Sequence, residues 1–295
     1  MSYPTLRLHP RKEESVLRFH PWIFSGAIAS FSAPVEDGDL VSVVDSKGRP
    51  LGTGHFGGGS IAVRLLSFDA EEVVDRAFYK RRLEAALRLR LSCDLVRPVG
   101  SSDSPNTTYR LVHGEGDSLP GLIIDIYDRT AVVQAHSLGM HQARQTIAEV
   151  LWEVFAEAGD PVLPLEGVYY KSETTLPTRD MRELASDGFL IGHTEAAPIY
   201  ENGVRFTPDW LKGQKTGFFI DQRDNRALVA HYAKGRTVLN AFCYTGGFSI
   251  YALHAGAKRV DSLDSSAKAM YLTEQHVALN FGADCPRHHS VTEDA

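Results

Sequence analysis

The stretch Val238-Leu-Asn-Ala-Phe-Cys-Tyr-Thr-Gly-Gly-Phe248 decides the fold of the last third of the chain. The apolar run over residues 237–242 predicts a buried, continuous β-strand, and the glycine pair after it predicts a tight turn. Residues 247–255 then predict a helix that is closed by Gly256. A strand that runs through a glycine turn into a helix presents backbone N–H groups to a ligand-sized gap.

The segments around this turn alternate between helix and strand. We predict helices over residues 221–233 and from a cap at Ser265 or Ser266 to Asn280, and strands over 259–263 and 287–291. Alternating strands and helices with apolar strands indicate a parallel sheet of the α/β class.

The turn and the next strand together suggest a nucleoside ligand. The second predicted strand ends in Asp264, where a carboxylate can accept both hydroxyls of a ribose. The GxGxxG spacing that dinucleotide enzymes use for a pyrophosphate is absent, which disfavours a nicotinamide dehydrogenase. A wide glycine turn without a phosphate requirement suits S-adenosylmethionine. A purely structural Gly-Gly turn is the alternative interpretation.

Composition excludes several classes of protein. The 295 residues allow two or three domains, and 43% hydrophobic with 23% charged residues is typical of globular proteins. No run approaches the roughly 20 apolar residues of a membrane helix, and the N-terminus lacks a signal-peptide core. The three cysteines show neither a disulfide framework nor CxxC metal spacing. We therefore expect a cytoplasmic protein that has no metal site and no membrane contact.

The first two thirds of the chain predict a different organisation. Residues 1–68 show short strands and turns, which is the pattern of a small β-barrel or open sheet. Periodicity predicts helices over 71–91 and 141–158, and strands near 109–113, 121–135 and 167–171. The order of these elements suggests a compact α+β unit. Residues 195–206 predict a hairpin with an Asn-Gly turn.

The segment Lys215-Thr-Gly-Phe-Phe-Ile-Asp-Gln-Arg-Asp-Asn-Arg226 precedes the α/β region. Phe218 and Phe219 together with Lys215 can wall an adenosyl or methionine pocket. An amphipathic helix with an ordinary polar face is the alternative.

Four motifs in order make the chain resemble one family, the bacterial large-subunit ribosomal RNA cytosine-C5 methyltransferases. The motifs are Pro21-Trp-Ile-Phe-Ser-Gly-Ala27, Gly114-Glu-Gly-Asp-Ser-Leu-Pro-Gly-Leu122, Lys215-Thr-Gly-Phe-Phe-Ile-Asp-Gln-Arg223 and Asn240-Ala-Phe-Cys-Tyr-Thr-Gly-Gly-Phe-Ser249. The resemblance covers essentially the whole chain.

The resemblance implies a multidomain protein of mixed α/β and α+β class. Residues 1–68 would form a PUA-like RNA-binding β-barrel, and residues 69–198 a central α+β domain in the EEHEE arrangement. Residues 199–295 would form the first half of a Rossmann-like class I methyltransferase domain that uses S-adenosyl-L-methionine.

The resemblance also implies a set of cofactor-binding residues. Four form the turn, one holds the ribose, one lies near the adenine edge and four close the pocket from the preceding segment. In that order they are Phe242, Tyr244, Gly246, Gly247, Asp264, Asp294, Lys215, Phe219, Asp221 and Arg223. A polar surface role is the alternative for Asp294.

The chain departs from the family pattern in its catalytic residues. The family has an Asp-Pro-Pro motif after the fourth strand and a later nucleophilic cysteine, and neither motif occurs in this sequence. Cys243 follows the cofactor strand, so we interpret it as a packing residue, and Cys93 and Cys285 as small buried or half-buried hydrophobes. We therefore assign no catalytic residue and expect the chain by itself to be inactive.

The resemblance also directs attention to basic and aromatic residues. Within one short segment we expect RNA contacts from Arg76, Lys80, Arg81, Arg82, Arg88 and Arg90; a solvated helix face with ion pairs is the alternative. Trp22 is a candidate for stacking, although a place in the barrel core is the stronger prediction. Glu115 and Asp117 are expected to pin a domain interface.

Two further functions stay open at this point. The motifs bind cofactor rather than base, so another RNA base is an alternative methyl acceptor. The basic helix and the PUA-like region also suit a fragment that binds structured RNA without catalysis. We expect ribosomal RNA as the partner, and a homodimer is left open.

Overall fold

The computed structural model describes residues 3–177, 183 and 186–294. The chain forms two compact units, residues 1–95 with 110–194, and residues 96–109 with 195–295. The domain limits predicted after residues 68 and 198 remain predictions. Within the described ranges, no helix is both long and apolar enough to cross a membrane.

The first unit begins with a six-stranded sheet, as the short strands and turns predict. The strands are Thr5–Leu8 (β1), Trp22–Phe24 (β2), Ile28–Phe31 (β3), Leu40–Val44 (β4), Pro50–Phe56 (β5) and Ile61–Ser67 (β6), and a short helix, Glu14–Leu17 (α1), follows β1. Their spatial order is β2-β6-β5-β4-β1-β3. β1 and β4 are parallel, and the other pairs in this sheet are antiparallel.

Alternation of side chains along these strands builds the core of the sheet. Leu6 and Leu8 on β1, Val41 and Val43 on β4, and Val63 on β6 are fully buried. The two-residue spacing puts each pair on one face of its strand. Burial of one such side chain contributes about 1.5–3 kcal/mol, so this cluster stabilises the sheet against a change of register.

Trp22 does not lie in this core, so that prediction is wrong. The side chain is half-buried, and its indole N–H donates a hydrogen bond of 2.7 Å to Oε1 of Glu115. A tryptophan N–H needs a partner when it leaves water, and here the Glu115 carboxylate supplies it. Asp117, two residues after Glu115, pairs with Arg90. Both carboxylates therefore tie the 114–122 loop to other segments of the first unit, and the domain interface that they were expected to pin remains a prediction.

A helix, Arg76–Ser92 (α2), follows the first sheet. It begins five residues later than the periodicity predicts, because Asp75 acts as its N-cap. The Asp75 side chain accepts a hydrogen bond of 2.9 Å from the backbone N–H of Phe78. Such a cap satisfies one of the unpaired N–H groups in the first turn and fixes where the helix starts.

The first unit also contains a five-stranded sheet. Its strands are Thr108–His113 (β7), Leu122–Tyr127 (β8), Thr130–Ala135 (β9), Gly167–Tyr170 (β10) and Gly188–Gly192 (β11), in the order β11-β10-β9-β8-β7. β8 and β9 form an antiparallel hairpin within the predicted strand segment 121–135 and turn at Asp128. The EEHEE order is followed by β8, β9, the helices after them, β10 and β11, and β7 adds a strand beside β8. The short β11, which begins and ends with glycine, was not predicted from the sequence.

The helix predicted over residues 141–158 is instead two helices, Leu138–Gln142 (α3) and Arg144–Ala158 (α4). The Ser137 side chain caps α3, and Ala143 separates the two helices with a ψ of −4°. Together α3 and α4 form the crossover that a parallel connection from β9 to β10 requires.

The second unit contains the predicted hairpin and the predicted α/β alternation. Its elements are Ile199–Glu201 (β12), Val204–Phe206 (β13), Arg223–Ala233 (α5), Thr237–Ala241 (β14), Gly247–His254 (α6), Arg259–Leu263 (β15), Ala267–Phe281 (α7) and His288–Val291 (β16). Asn202 and Gly203 turn the hairpin with positive φ values of 49° and 83°. β14, β15 and β16 form a parallel sheet in that order, which confirms the predicted class. Ser266 caps α7.

The prediction that β14 is a buried apolar strand is wrong. Residues 237–241 alternate between exposed and half-buried, and Leu239 is 68% exposed. β14 lies at the edge of the described sheet, with β15 as its hydrogen-bonded neighbour. Because β14 has a neighbouring strand along only one of its edges, part of its surface stays exposed.

A buried ion pair connects the hairpin of the second unit to α5. Arg226 donates two hydrogen bonds of 2.8 and 2.7 Å to the carboxylate of Glu201, whose side chain is fully buried. The Arg226 guanidinium also lies 4.6 Å from the centre of the Phe218 ring. The Tyr251 hydroxyl donates to the backbone carbonyl of Glu201. Since these groups lie away from water, each must keep its partners.

We expect Glu201→Ala to lower the free energy of unfolding by about 3–5 kcal/mol, because it leaves the Arg226 charge buried without a carboxylate. Urea denaturation followed by fluorescence measures this. Glu166→Ala is the control, since Glu166 pairs with Arg129 at the surface and is 57% exposed. The control should cost about 0–1 kcal/mol. Equal costs for the two variants would contradict the role of the Glu201 pair.

Candidate cofactor site

The turn after β14 is built from backbone conformations that side chains rarely adopt. Phe242, Tyr244 and Gly246 have φ values of 56°, 49° and 75°. The Gly246 N–H donates a hydrogen bond of 2.9 Å to the Cys243 carbonyl, and α6 starts at the next residue. The left-handed residues reverse the chain at the carboxyl end of β14, which is where ligands bind in open α/β sheets.

The two glycines are required by packing within the protein. A Cβ on Gly246 would lie 2.5 Å from Cγ2 of Thr273, and one on Gly247 would lie 3.2 Å from Cδ of Arg226. The first distance is shorter than real Cβ contacts allow. The glycines therefore permit α6 to approach α5 and α7 closely, and the turn keeps its shape for that reason.

A cavity of about 310 Å³ opens beside the turn. It is lined by Lys215, Phe218, Phe219, Asp221, Gln222, Arg226, Phe242, Cys243, Tyr244, Thr245, Gly247 and Phe248. The structure thus brings together six of the ten predicted cofactor residues: Lys215, Phe219, Asp221, Phe242, Tyr244 and Gly247. Its size is at the lower end of the range for small-molecule sites.

The segment 215–222 forms one wall of the cavity. The Lys215 Nζ lies 4.2 Å from the centre of the Phe219 ring and 3.1 Å from Oδ1 of Asp221. The Phe219 ring meets the Tyr244 ring edge-on at 5.3 Å. Burial raises the pKa of Asp221, but hydrogen bonds from Gln222 and Lys215 and the Lys215 charge outweigh it, so the pKa is lowered overall. The wall therefore carries an ionised carboxylate and an ammonium group beside aromatic rings.

Asp264 contacts the turn from the end of β15. Its Oδ2 accepts a hydrogen bond of 2.9 Å from the Tyr244 N–H, and its Oδ1 accepts one of 2.9 Å from the Ser266 N–H. The carboxylate is thus fixed between two backbone segments and keeps further lone pairs for a ligand. Asp294 follows the end of β16 by three residues and is exposed. It does not line the cavity.

Arg223 does not line the cavity either. Its Nη2 donates a hydrogen bond of 2.8 Å to the Thr108 carbonyl, and its Nε lies 3.6 Å from Glu201. Arg226, one helical turn further along α5, lines the cavity instead. Which of the two arginines lines the cavity depends on how each is placed around Glu201. The sequence does not give that placement.

His276 on α7 supports the turn and was missed by the sequence analysis. The Thr207 N–H donates to its Nε2 at 3.0 Å, so the ring proton lies on Nδ1, which donates to the Thr245 carbonyl at 2.9 Å. Burial lowers the pKa of His276, and the neutral ring has the one donor and one acceptor that this position requires. Thr273, also on α7, donates to the Tyr244 carbonyl at 3.1 Å.

The structure places Cys243 in a packing position. Its thiol is buried, and its Sγ lies 3.4 Å from the sulfur of Met270. Burial raises the pKa of Cys243 to about 11, so the thiolate that a nucleophile requires is disfavoured. Cys285 is half-buried as expected, whereas Cys93 is exposed, contrary to the expectation.

The residues predicted to bind RNA lie on α2 and are paired with carboxylates. Arg76 and Lys80 contact Glu153, and Lys80 also contacts Glu157. Arg81 and Arg82 contact Glu72, and Arg88 lies 3.8 Å from Glu84. Arg90 is buried in its pair with Asp117. The geometry therefore agrees with the alternative interpretation, a helix face with ion pairs. The RNA contacts remain a prediction.

Known proteins with similar sequences and folds define the class of this protein. A family profile described as a PUA-like domain matches residues 6–68, and one described as an S-adenosylmethionine-dependent methyltransferase matches residues 177–290. Two solved structures share the fold, each with a TM-score of 0.79. One, from Streptococcus mutans, is described as a putative SAM-dependent methyltransferase, at 23% identity over 100% of this chain and 71% of the other. The second, described likewise as a methyltransferase, is complexed with SAH, at 22% identity over 100% and 70%.

The particular family follows from closer relatives. Ribosomal RNA large subunit methyltransferase I of Alteromonas mediterranea is 38% identical over 97% of this chain and 68% of its own length. The protein of the same name from Shewanella denitrificans is 40% identical over 93% of this chain and 66% of its own. The chain belongs to this family of S-adenosylmethionine-dependent methyltransferases, and it spans about two thirds of the length of these relatives.

We expect Gly246→Ala to lower the free energy of unfolding by about 2–4 kcal/mol, because it adds a clash with Thr273 to the cost of a left-handed alanine. Gly235→Ala is the control, since Gly235 has a φ of 71°, close to that of Gly246, and open space around it. It should cost about 1 kcal/mol. Urea denaturation compares the two. Equal costs would show that packing against Thr273 does not shape the turn.

Proposed function

We propose that the protein transfers the methyl group of S-adenosylmethionine to C5 of a cytosine in large-subunit ribosomal RNA. The observation that carries the proposal is the cavity at the carboxyl end of β14, in a chain that belongs to a family of ribosomal RNA methyltransferases. The cytosine and its C5 position come from the sequence motifs, and they are part of the proposal.

The side chains that line the cavity fit the proposed cofactor in their chemistry. Aromatic rings of Phe219 and Tyr244, the Lys215 ammonium and the Asp221 carboxylate face a volume of about 310 Å³. When bound, S-adenosylmethionine supplies a sulfonium methyl group to an attacking carbon. We assign the ribose to Asp264, whose carboxylate is already oriented by two backbone N–H groups. Gly246 shapes the turn, and Arg223 supports the site through Glu201.

Methylation at C5 of cytosine requires a nucleophile that these residues do not provide. C5 becomes nucleophilic when a thiolate adds to C6; the carbon then attacks the methyl group, a base removes the C5 proton, and the thiolate leaves. Cys243 is buried with a raised pKa, so we do not assign it this role. We place the nucleophilic cysteine in the part of the family's length that this sequence does not span.

We expect Asp264→Ala to weaken the affinity for S-adenosylhomocysteine at least tenfold, because the ribose loses its acceptor, which is about 1.4 kcal/mol. Isothermal titration calorimetry measures the dissociation constant. Asp261→Ala is the control on the same strand, since Asp261 pairs with the exposed Arg259. The control should bind as the unaltered protein does. Unchanged affinity in Asp264→Ala would overturn the assignment of the ribose.

The predicted basic face of α2 needs a separate test. The side chains of Arg81 and Arg88 are 55% and 68% exposed and reach solvent despite their partners. If they contact RNA, the variant Arg81→Gln with Arg88→Gln should lower the slope of log affinity against log salt by about 1.4, or 0.7 for each phosphate on a single strand. Gel shifts with a single-stranded RNA over a salt series measure the slope. An unchanged slope would remove this face from the proposed interface.

A homodimer and a cytoplasmic location also remain predictions. Size-exclusion chromatography with light scattering determines the first. Neither enters the assignment of the cofactor cavity.

A further inference from the structure

Three side chains form a row across the first sheet, far from the cofactor cavity in the sequence. In the pairing of β6 with its neighbours, Arg64 lies opposite Trp22 on β2 and opposite His55 on β5. Directly paired residues point to the same face of a sheet. The row therefore places a guanidinium between an indole and an imidazole. Val63, next in the chain, points to the opposite face and into the core.

Two cavities open on either side of Arg64, which lines both. The first has a volume of about 330 Å³ and is lined by Asp37, His55, Phe56, Gly57, Gly58, Gly59, Ser60, Ile61, Arg64, Ser137, Leu138 and Pro177. The second has a volume of about 270 Å³ and is lined by Trp22, Arg64, Gly114, Glu115, Gly121, Leu122, Ile123 and His136. The first volume is at the lower end of the range for small-molecule sites and the second lies just below it, so each cavity can take a group no larger than a nucleoside.

The guanidinium of Arg64 differs from those of three other arginines of the first unit that are partly or fully buried. Arg82, Arg90 and Arg110 each pair with a carboxylate. Among the described residues, the Arg64 side chain makes no hydrogen bond and no ion pair. Burial lowers the pKa of Arg64, and the charge of Glu115 raises it. A partly dehydrated cation without a bonded partner is costly, and an anion placed between the cavities would lower that cost.

His55 supplies a second polar group without a partner. The residue is 6% exposed, and its Nδ1 is buried with no hydrogen bond in the described structure. It lines the first cavity, and Gly139 packs against its ring so closely that a Cβ there would lie 2.2 Å away. The ring is therefore held in place. A fixed, unsatisfied ring nitrogen beside a cavity marks a position for a ligand hydrogen bond.

The glycine loop 57–59 keeps the first cavity open. A Cβ on Gly59 would meet nothing within 4 Å, and one on Gly57 would meet only a carbonyl at 3.9 Å. Neither residue has a positive φ. Neither packing nor backbone conformation therefore demands glycine at these two positions. Their effect is to leave the mouth of the cavity free of side chains, while the Gly57 N–H is already donated to the Ala62 carbonyl.

We propose that this row is a nucleotide-binding site, in which Arg64 binds a phosphodiester and the two cavities take the nucleosides on either side of it. Each cavity contains one carboxylate, Asp37 in the first and Glu115 in the second. Carboxylates accept hydrogen bonds from ribose hydroxyls and base amino groups but repel phosphate. The order of charges, negative, positive, negative, thus matches nucleoside, phosphate, nucleoside. Trp22 and His136 offer aromatic faces for stacking in the second cavity.

An RNA strand is the source of this ligand that we favour, and this choice alone rests on the proposed function. A strand threads through open cavities on both sides of a central cation, whereas a free mononucleotide fills only one of them. Free nucleotides share the same chemistry, and the experiment separates the two sources.

The test measures binding of fluorescein-labelled hexauridylate by anisotropy, and of uridine monophosphate and the dinucleotide UpU by calorimetry. Arg64→Gln should weaken hexauridylate and UpU at least fivefold and lower the salt slope for hexauridylate by about 0.7, because one phosphate contact is lost. Arg49→Gln is the matched control, since Arg49 is 57% exposed and pairs with Asp45. It should change affinity by less than twofold.

Gly59→Leu tests the cavity without touching the cation. The new side chain enters open space, so the fold is kept, and it narrows the first cavity. Hexauridylate affinity should fall severalfold while the salt slope stays unchanged. If both variants lose affinity for uridine monophosphate alone, the site is supported and its ligand is a free nucleotide. Unchanged binding in both variants, or no binding by the unaltered protein, would overturn the proposal.

Affinity for S-adenosylhomocysteine, measured on the same samples, separates this proposal from the proposed function. Retained affinity in Arg64→Gln with weakened hexauridylate supports the nucleotide site. Absence of S-adenosylhomocysteine binding in the unaltered protein would instead contradict the proposed function, and the result for Arg64 would still stand.

Discussion

The second unit depends on one buried ion pair. Taking the Arg226 guanidinium and the Glu201 carboxylate out of water costs several kcal/mol per ion, so neither can be left without the other. Glu201 belongs to the hairpin, Arg226 belongs to α5, and the aliphatic part of Arg226 packs beside Gly247 at the start of α6. A single pair therefore fixes three elements relative to one another. The cavity lies against the same arginine, so its shape follows from this constraint.

Local signals account for most of what the sequence could predict. The Asn202–Gly203 hairpin, the parallel α/β order and the Ser266 cap depend on residues close in the chain, and the structure confirms them. The roles of His276 and Arg226 could not be predicted, because their hydrogen-bond partners lie 25 to 69 residues away in the chain. No local pattern distinguishes a histidine that supports a turn from one that fills a core. Burial of β14 was predicted wrongly for the same reason, since it depends on neighbouring strands.

Charge in the sequence was a poor guide to charge that is available for binding. The basic residues of α2 stand together in the sequence, yet glutamates from distant segments neutralise several of them, as Glu153 does for Arg76 and Lys80. Arg64 is the single charged residue in an apolar stretch of the sequence, and no sequence pattern indicates that it binds a ligand. In the fold it lies between two cavities without a bonded partner among the described residues. Pairing across the sheet, which only the structure gives, separates these two situations.

The left-handed backbone of Phe242 and Tyr244 has a consequence for how such a protein can change in evolution. Each non-glycine residue in this conformation costs about 1–2 kcal/mol relative to a relaxed one. Glycine at either position would recover part of that energy, but it would also remove an aromatic wall of the cavity. Selection for heat resistance and selection for ligand affinity would thus favour opposite substitutions at the same two positions. A lineage that became more heat-stable would have to gain that stability elsewhere in the chain.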